Sequence, residues 1–320
     1  MRVLALSRVI NAPSPLPSPG VPGEGVGSLS LGAKLDHFAR DIKISHTVFA
    51  LPFALLSTFL AAGGLPKLGV LLLILVCMVT ARTVAMASNR LLDAALDARN
   101  PRTANRAIPS GRLSKRFYAF ILAACGLAFL SATAFFWFLY RNPYPILLAL
   151  PVLLFLSAYP LLKRFTRLCH YYLGAALALA PVCAWLAVRG SLAAPPLWMA
   201  GAVLCWTAGF DIIYACQDYL SDVECGVFSV PAKIGVGPAL WVSRLTHLVC
   251  VGMLAALGRS SPALGTLYWT GVGIVVLLLV VEHTLVRPDD LSKVGLAFFT
   301  VNGIISVLLG TLGIIDVFVR

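Results

Sequence analysis

The sequence predicts an all-α integral membrane protein with about nine transmembrane helices. Hydrophobic residues make up 59% of the 320 residues and charged residues only 12%, whereas a soluble domain is about one quarter charged. The mean hydropathy is +0.90. The apolar segments are continuous over about 20 residues and do not alternate with polar residues, which favours helices over the strands of a membrane barrel.

Nine apolar runs follow one another along the chain, and we expect each to form one helix. The first run is short, and prolines flank the fourth. The runs cover residues 47–62, 68–88, 117–137, 145–161, 171–189, 197–216, 238–257, 267–285 and 295–318.

Residues 1–33 differ in composition from the rest of the chain. Five prolines lie between Pro13 and Pro22, among glycine and serine residues, and such a segment cannot bury a core. We therefore expect a disordered tail over residues 1–33 and a single transmembrane domain over residues 34–320.

The positive charges predict the orientation of the helices. The N-terminal segment and the connections on its side of the membrane, with Arg244 at the edge of a run, hold 19 of the 25 lysine and arginine residues. Cytoplasmic loops carry such an excess of positive charge. The distribution therefore places the N-terminus in the cytoplasm, together with the connections that follow the second and sixth runs.

Two functions that the composition might suggest are excluded. The net charge is +12, but the bases lie between apolar runs and not on a soluble face, which argues against nucleic-acid binding. The eight cysteines have no zinc-site spacing and lie mostly inside apolar runs, where a thiol behaves as a small hydrophobic group.

Two acidic segments lie where the second and sixth runs end. Only 13 residues of the chain are acidic. The polar members of the first segment are spaced by four residues, and those of the second by seven and four, so helices would present each set on one face. The two sets are Asn89, Asp93 and Asp97, and Asp211, Asp218 and Asp222.

The chemistry of these segments predicts a magnesium–diphosphate site. Carboxylates at membrane depth are costly unless positive charge lies between them, and Mg²⁺ prefers carboxylates together with phosphate oxygens of a substrate. Bases that could neutralise the remaining phosphate charge follow nearby. They are Arg102, Arg106, Lys163 and Arg164. The long connections that contain many of these residues are expected to cap a cavity between the helices.

Other polar residues of the runs have simpler explanations. A single aspartate at a helix end is usually just solvated, and it is the combination of both segments with the bases that favours metal binding. Arg82 lies two turns before Asn89; it either extends to the interface or lines the cavity, where it would pair with Asp211 or hold an acceptor carboxylate. We expect Glu282 and His283 at the membrane interface. Three further polar residues are Lys43 and His46, weak site candidates, and Asn302, expected to hydrogen-bond between helices.

The combined motifs resemble the UbiA superfamily of intramembrane aromatic prenyltransferases over roughly residues 34–318. The first motif is Asn-x-x-x-Asp-x-x-x-Asp from Asn89, and the second is Asn-Pro-Arg-Thr-Ala-Asn-Arg-x-Ile-Pro-Ser-Gly from Asn100. Tyr-x-x-x-Lys-Arg follows from Tyr159, and then Asp-x-x-x-Asp from Asp218, with Ser-Val-Pro-Ala-Lys-Ile-Gly downstream. One departure is Arg90, where many relatives carry aspartate.

The resemblance implies nine helices around a central cavity that is capped on the cytoplasmic side and open laterally to membrane lipid. It implies diphosphate contacts from Lys163 and from Arg102 or Arg106. It also implies Mg²⁺ bound by Asn89, Asp93, Asp97, Asp218 and Asp222. The nearest branch is the bacterial 4-hydroxybenzoate polyprenyltransferase-like one, which implies an inner-membrane enzyme of ubiquinone or menaquinone synthesis.

We interpret the sequence as that of an enzyme that transfers a polyprenyl group from a polyprenyl diphosphate to a hydroxylated aromatic carboxylate. The carbon beside the phenolic hydroxyl would attack the allylic carbon. Tyr159 is one of several aromatic residues suited to the cationic fragment, and Asp211 is expected to orient the acceptor or handle its proton. A naphthoate and a non-quinone acceptor (haem, a chlorin or a glycerol phosphate) remain alternatives. A transporter is disfavoured because the polar groups concentrate at helix ends.

Overall fold

The computed structural model describes residues 30–42 and 49–320 of the chain. These residues form helices and connections and contain no β-strand beyond one isolated bridge between Arg287 and Asp290. The predicted all-α class is therefore confirmed. The described residues do not include residues 1–29 of the predicted tail, nor Lys43 and His46.

Thirteen α-helices follow one another in the described part of the chain. Their bounds are α1 Leu31–Asp41, α2 Leu51–Ala62, α3 Leu68–Asp97, α4 Lys115–Tyr140, α5 Tyr144–Leu162, α6 Cys169–Arg189, α7 Ala194–Ala215, α8 Tyr219–Cys225, α9 Val230–Ile234, α10 Val236–Ser260, α11 Thr266–Leu285, α12 Val294–Leu296 and α13 Asn302–Val319. A 3₁₀ turn, Cys216–Asp218, joins α7 to α8, and a π-helical turn, Ala297–Val301, joins α12 to α13.

The helices agree closely with the predicted apolar runs. Among the described residues, eight helical stretches are long and apolar enough to cross a membrane. The first predicted run corresponds to the shorter helix α2, which has 12 residues. The second run continues as helix beyond its apolar part, so that α3 has 30 residues and carries the first acidic motif on its last turns.

Local sequence signals set several helix ends. The Ser30 and Ser114 hydroxyls accept hydrogen bonds from the first turns of α1 and α4. Proline occupies the first turn of α2 and of α7, where no backbone donor is lost. Gly190 ends α6 in the left-handed conformation with a φ of 66°, which glycine adopts without strain.

The helices pack in two groups that meet where α6 contacts α7. Helices α3, α4 and α5 pack together and contact α6, while α7 packs on α10, and α11 and α13 pack on each other. Gly174 brings α6 very close to α7, because a Cβ atom there would overlap the carbonyl oxygen of Leu204. The close crossing of α6 and α7 at Gly174 therefore joins the two groups.

A buried polar network connects α7, α11 and α13. The Trp206 indole N–H donates to Asn302 Oδ1 at 2.6 Å, and Asn302 Nδ2 donates to Glu282 Oε1 at 2.8 Å. Asn302 Nδ2 also donates to the Ala297 carbonyl across the π-helical turn. The predicted interhelical role of Asn302 is confirmed. The interfacial position expected for Glu282 is wrong, since its side chain is fully buried.

Candidate active site

The first acidic motif faces the interior of the protein. Asn89, Asp93 and Asp97 lie on successive turns of α3, and all three are buried. Asp93 has no exposed surface. The i, i+4, i+8 spacing therefore produces the predicted single face.

The second acidic motif lies opposite the first, across a polar cavity. Asp218 ends the 3₁₀ turn and Asp222 lies on α8. The cavity has an empty volume of about 540 Å³, including its opening. Its charged and amide side chains are Asn89, Asp93, Asp97, Asn100, Arg102, Arg106, Lys163, Asp218 and Asp222. Most of the predicted metal and diphosphate residues therefore line one cavity.

Basic residues pair with the acids of both motifs. Lys163 Nζ lies 2.6 Å from Asp93 Oδ2, and Arg106 lies 2.7 and 2.8 Å from the two oxygens of Asp97. Arg164 is more peripheral: it donates to the Leu92 carbonyl and lies 3.9 Å from Asp93 Oδ1. Each base comes from a connection, or from the end of α5, that closes over the end of α3.

Arg102 forms a forked ion pair with Asp218. Its Nε and NH2 atoms lie 2.8 and 2.6 Å from the two carboxylate oxygens, and its NH1 donates to the Tyr214 hydroxyl at 2.9 Å. Burial alone would lower the pKa of Arg102, but the hydrogen bonds and charge of Asp218 raise it above the ordinary value. Arg102 therefore stays charged at neutral pH.

Asp41 of α1 anchors the helix that carries the first motif. It accepts hydrogen bonds from the Tyr118 hydroxyl at 2.6 Å, from Arg90 Nε at 2.9 Å and from the Ala107 backbone N–H at 2.9 Å. Burial alone would raise the pKa of Asp41, but the Tyr118 hydrogen bond and the Arg90 charge bring it below the ordinary value. Asp41 is thus an anion bound to Arg90.

An apolar cavity of about 1230 Å³, including its opening, adjoins the polar one. It lies between α3, α4, α5 and α6, and small residues of α6 such as Ala176, Ala180 and Ala184 widen it. Arg82 and Tyr159 line it near the polar cavity. Along α3 the lining changes within one turn, from Met86 in the apolar cavity to Asn89 in the polar one.

Asp211 does not follow the prediction that it shares a face with Asp218 and Asp222. Its Oδ2 atom lies 2.7 Å from His170 Nδ1, whereas a pairing with Arg82 was one of the alternatives that the sequence left open. Asp211 lines neither cavity in the described part of the chain. The hydrogen bond to His170 therefore keeps Asp211 out of the lining that Asp218 and Asp222 share.

Sequence reasoning missed several partners of the site residues. Asn100 donates to Asp218 at 3.0 Å, and the Ser229 hydroxyl donates to Asp222 at 2.7 Å. Both lie inside motifs that resemble the family, so their position was a usable signal. Asp41 and His170 carry no such signal, because their contacts depend on how distant helices pack.

The donor set of the polar cavity suits Mg²⁺. Among the described residues, no three Asp, Glu, His or Cys side chains already form a preformed metal site, and the acids are paired with bases instead. Carboxylate oxygens are nevertheless the ligands that Mg²⁺ prefers. Asp93 Oδ1 is buried and accepts no hydrogen bond from the described part of the chain, so a cation would satisfy it.

The fold and the two cavities define a polytopic membrane protein that holds a charged cavity next to an apolar one. Residues 50–304 match the family model described as the UbiA prenyltransferase family. The chain belongs to this family.

Relatives and solved structures are similar over most of the chain. A 4-hydroxybenzoate octaprenyltransferase of Serratia proteamaculans (strain 568) is 31% identical over 252 residues, which cover 77% of this chain and 83% of the relative. The apo structure of a UbiA homologue from Aeropyrum pernix K1 has a TM-score of 0.76 and 29% identity, covering 85% of this chain and 98% of that one. A UbiA homologue from Archaeoglobus fulgidus bound to DMAPP and Mg²⁺ has a TM-score of 0.66 and 19% identity, with 89% and 100% covered.

Proposed function

We propose that the protein transfers a polyprenyl group from a polyprenyl diphosphate to a hydroxylated aromatic carboxylate such as 4-hydroxybenzoate, with Mg²⁺, in quinone synthesis. The observation that carries the proposal is the change of lining along α3, from an apolar cavity to a cavity of acids and bases. A polyprenyl diphosphate has the same division between tail and head. The name of the Serratia relative and the ligands of the Archaeoglobus homologue agree with it.

The bases of the polar cavity bind the diphosphate. In this structure each of these bases pairs with a carboxylate: Lys163 with Asp93, Arg106 with Asp97 and Arg102 with Asp218. Each base can pair with a phosphate oxygen of the substrate instead, because a carboxylate and a phosphate are both anions. The released carboxylates, with Asp222, would hold Mg²⁺. When bound by these residues, Mg²⁺ would supply positive charge against the negative charge that grows on the leaving diphosphate.

The apolar cavity holds the tail and excludes water from the reacting carbon. When the allylic carbon–oxygen bond breaks, the electron pair leaves with the diphosphate, and the ring carbon beside the phenolic hydroxyl attacks the allylic carbon. That ring carbon then loses its hydrogen as a proton, which the departing diphosphate can take up, and the ring becomes aromatic again. The Tyr159 ring lies at the polar end of this cavity, where it suits the cationic carbon. Arg82 lines the same cavity, and its positive charge suits the carboxylate of the acceptor.

The charge distribution supports a cytoplasmic site. The connections after α3 and α7, which close the polar cavity, belong to the side of the membrane that carries most of the lysine and arginine residues. We therefore place the active site at the cytoplasmic face of the inner membrane.

The test is an assay of purified protein in lipid nanodiscs. Geranyl and octaprenyl diphosphates are supplied with 4-hydroxybenzoate or 1,4-dihydroxy-2-naphthoate, with Mg²⁺ or with a chelator. We expect Mg²⁺-dependent formation of a prenylated aromatic product and an equal amount of pyrophosphate. If only the naphthoate gave a product, the acceptor would be a naphthoate and not 4-hydroxybenzoate. Pyrophosphate release without any prenylated aromatic, or turnover without a divalent metal, would contradict the proposal.

A further inference from the structure

The amide of Asn89 is held in one orientation by its two neighbours. Arg90 NH1 lies 2.6 Å from Asn89 Oδ1, and Asn89 Nδ2 lies 2.8 Å from Asp93 Oδ2. A guanidinium can only donate and an ionised carboxylate can only accept, so the amide oxygen must face Arg90 and the amide nitrogen must face Asp93. The only side-chain oxygen of Asn89 is therefore already bound to a cation.

Arg90 is itself fixed by α1. Its Nε and NH2 atoms donate to Asp41 Oδ2 at 2.9 Å and to the Asp41 carbonyl at 2.7 Å. The side chains of Arg90 and Asp41 are only 4% and 7% exposed. Tyr118 and the Ala107 backbone complete the hydrogen bonds of Asp41. A buried pair with this many partners holds the guanidinium in one place.

These contacts give the two oxygens of Asp93 different roles. Oδ2 accepts from both Asn89 Nδ2 and Lys163 Nζ, at 2.8 and 2.6 Å. Oδ1 accepts no hydrogen bond in the described structure, and Arg164 lies 3.9 Å from it. Both donors bind one oxygen and leave the other available.

We propose that Asn89 is a positioning residue and not a metal ligand in this chain, and that Asp41 and Arg90 hold it so that Asp93 presents Oδ1 to the metal. This inference rests on the proposed function, because it assumes that a divalent cation binds in the polar cavity. It gives Arg90 a definite task. Outer partners that orient a metal ligand change metal affinity about 10- to 100-fold when they are removed.

The test measures metal binding directly, in full-length protein in nanodiscs. Mn²⁺ is titrated in the presence of inorganic pyrophosphate and followed by electron paramagnetic resonance. The main variant is Arg90→Met, which releases Asn89 Oδ1. Because Arg90→Met leaves Asp41 buried without its cation, the double variant Asp41→Asn, Arg90→Met is measured beside it. The control is Arg40→Met on α1, the helix that carries Asp41; the ion pair of Arg40 with Asp36 is largely exposed.

We expect both Arg90 variants to bind the same number of Mn²⁺ ions about tenfold or more weakly. Their kcat should return to near the parent value at saturating Mg²⁺, which a general structural defect would not allow. The control should bind like the parent. If Arg90→Met or the double variant bound Mn²⁺ as tightly as the parent, or more tightly, the freed Asn89 oxygen would be a ligand and this inference would be overturned alone. A parent protein that binds no Mn²⁺ would overturn it together with the proposed function.

Discussion

Asp218 has the most complete set of partners among the acids of the polar cavity. Arg102 approaches both of its oxygens, Asn100 adds a third hydrogen bond, and Tyr214 holds the far side of Arg102. Among the described residues, Asp211, seven residues earlier, has instead one hydrogen-bond partner, His170. His170 Nε2 accepts from the Val230 backbone N–H, so its Nδ1 carries the hydrogen that Asp211 receives.

This difference predicts different effects of the same change at two positions. Asp218→Asn should lower kcat about 100-fold or more, because it removes a charge that we propose to hold the metal. Asp211→Asn should keep turnover within a few-fold, since an asparagine oxygen can still accept from His170. Steady-state rates of prenyl transfer at saturating Mg²⁺ measure both. Comparable losses in the two variants would return Asp211 to the catalytic site.

At the residue scale, sequence could predict which acids meet but not all of their partners. Asp93 and Asp97 follow from α-helical spacing within one helix, and that spacing holds in α3. The prediction for Asp211 fails because its carboxylate binds His170, 41 residues away in the chain, and no sequence signal indicates that contact. Asp41 could not be predicted as a partner of Arg90, 49 residues away.

Helices α6 and α7 approach each other closely at Gly174. Its missing side chain lets the backbone of α6 contact the carbonyl of Leu204. Without water to drive helices together in a bilayer, such close backbone contact is a main source of association. The crossing matters for the site because α6 forms one wall of the apolar cavity and α7 leads to Asp218.

Gly174→Ala is therefore expected to destabilise the protein. The added methyl group meets backbone, which cannot move aside as a side chain would, and overpacking of this kind costs about 1–3 kcal/mol. Gly126→Ala on α4 is the control, because a Cβ atom there meets nothing within 4 Å. Thermal unfolding in detergent, followed by size-exclusion fluorescence, should show a lower midpoint for Gly174→Ala and an unchanged or higher one for Gly126→Ala. Equal midpoints would contradict this prediction, because α6 and α7 would then accommodate the added methyl group without loss of stability.

At the element scale, the spans were predictable and the buried polar network was not. Continuous apolar runs locate helices such as α4 and α10 to within a few residues. The same rule fails for Glu282, because a charged residue near a helix end looks interfacial unless its partner is known. Here Asn302 turns toward it from another helix, next to the π-helical turn. Interrupted helices of that kind have no reliable sequence signal.

The molecule as a whole separates an apolar cavity from a charged one. From Ile74 to Met86 the α3 lining of the apolar cavity covers 13 residues, or about 18 Å of helix. The charged lining begins with Asn89. The two motifs predict the polar cavity, because both of them line it. The sequence does not predict the depth of the apolar cavity, because that depth depends on how the small residues of α6 face α3, α4 and α5.

Filling the apolar cavity should change the preferred chain length of the substrate. Ala180→Phe places a ring in the cavity, so turnover of octaprenyl diphosphate should fall about tenfold or more while geranyl diphosphate is still used. Ala124→Phe, on the exposed side of α4, is the matched control. Competition between the two diphosphates, with products separated by mass spectrometry, gives the ratio. An unaltered ratio in Ala180→Phe would place the isoprenoid elsewhere.

The change of lining within one turn of α3 also has an evolutionary consequence. A lipid clamped by its charged end keeps its reactive bond at one level of the membrane, whatever length trails behind. Under the proposed function, selection can then adjust tail preference through the wall residues of α4, α5 and α6 without disturbing the charged residues of the polar cavity. One scaffold can thus diversify in what it accepts while its reaction stays the same.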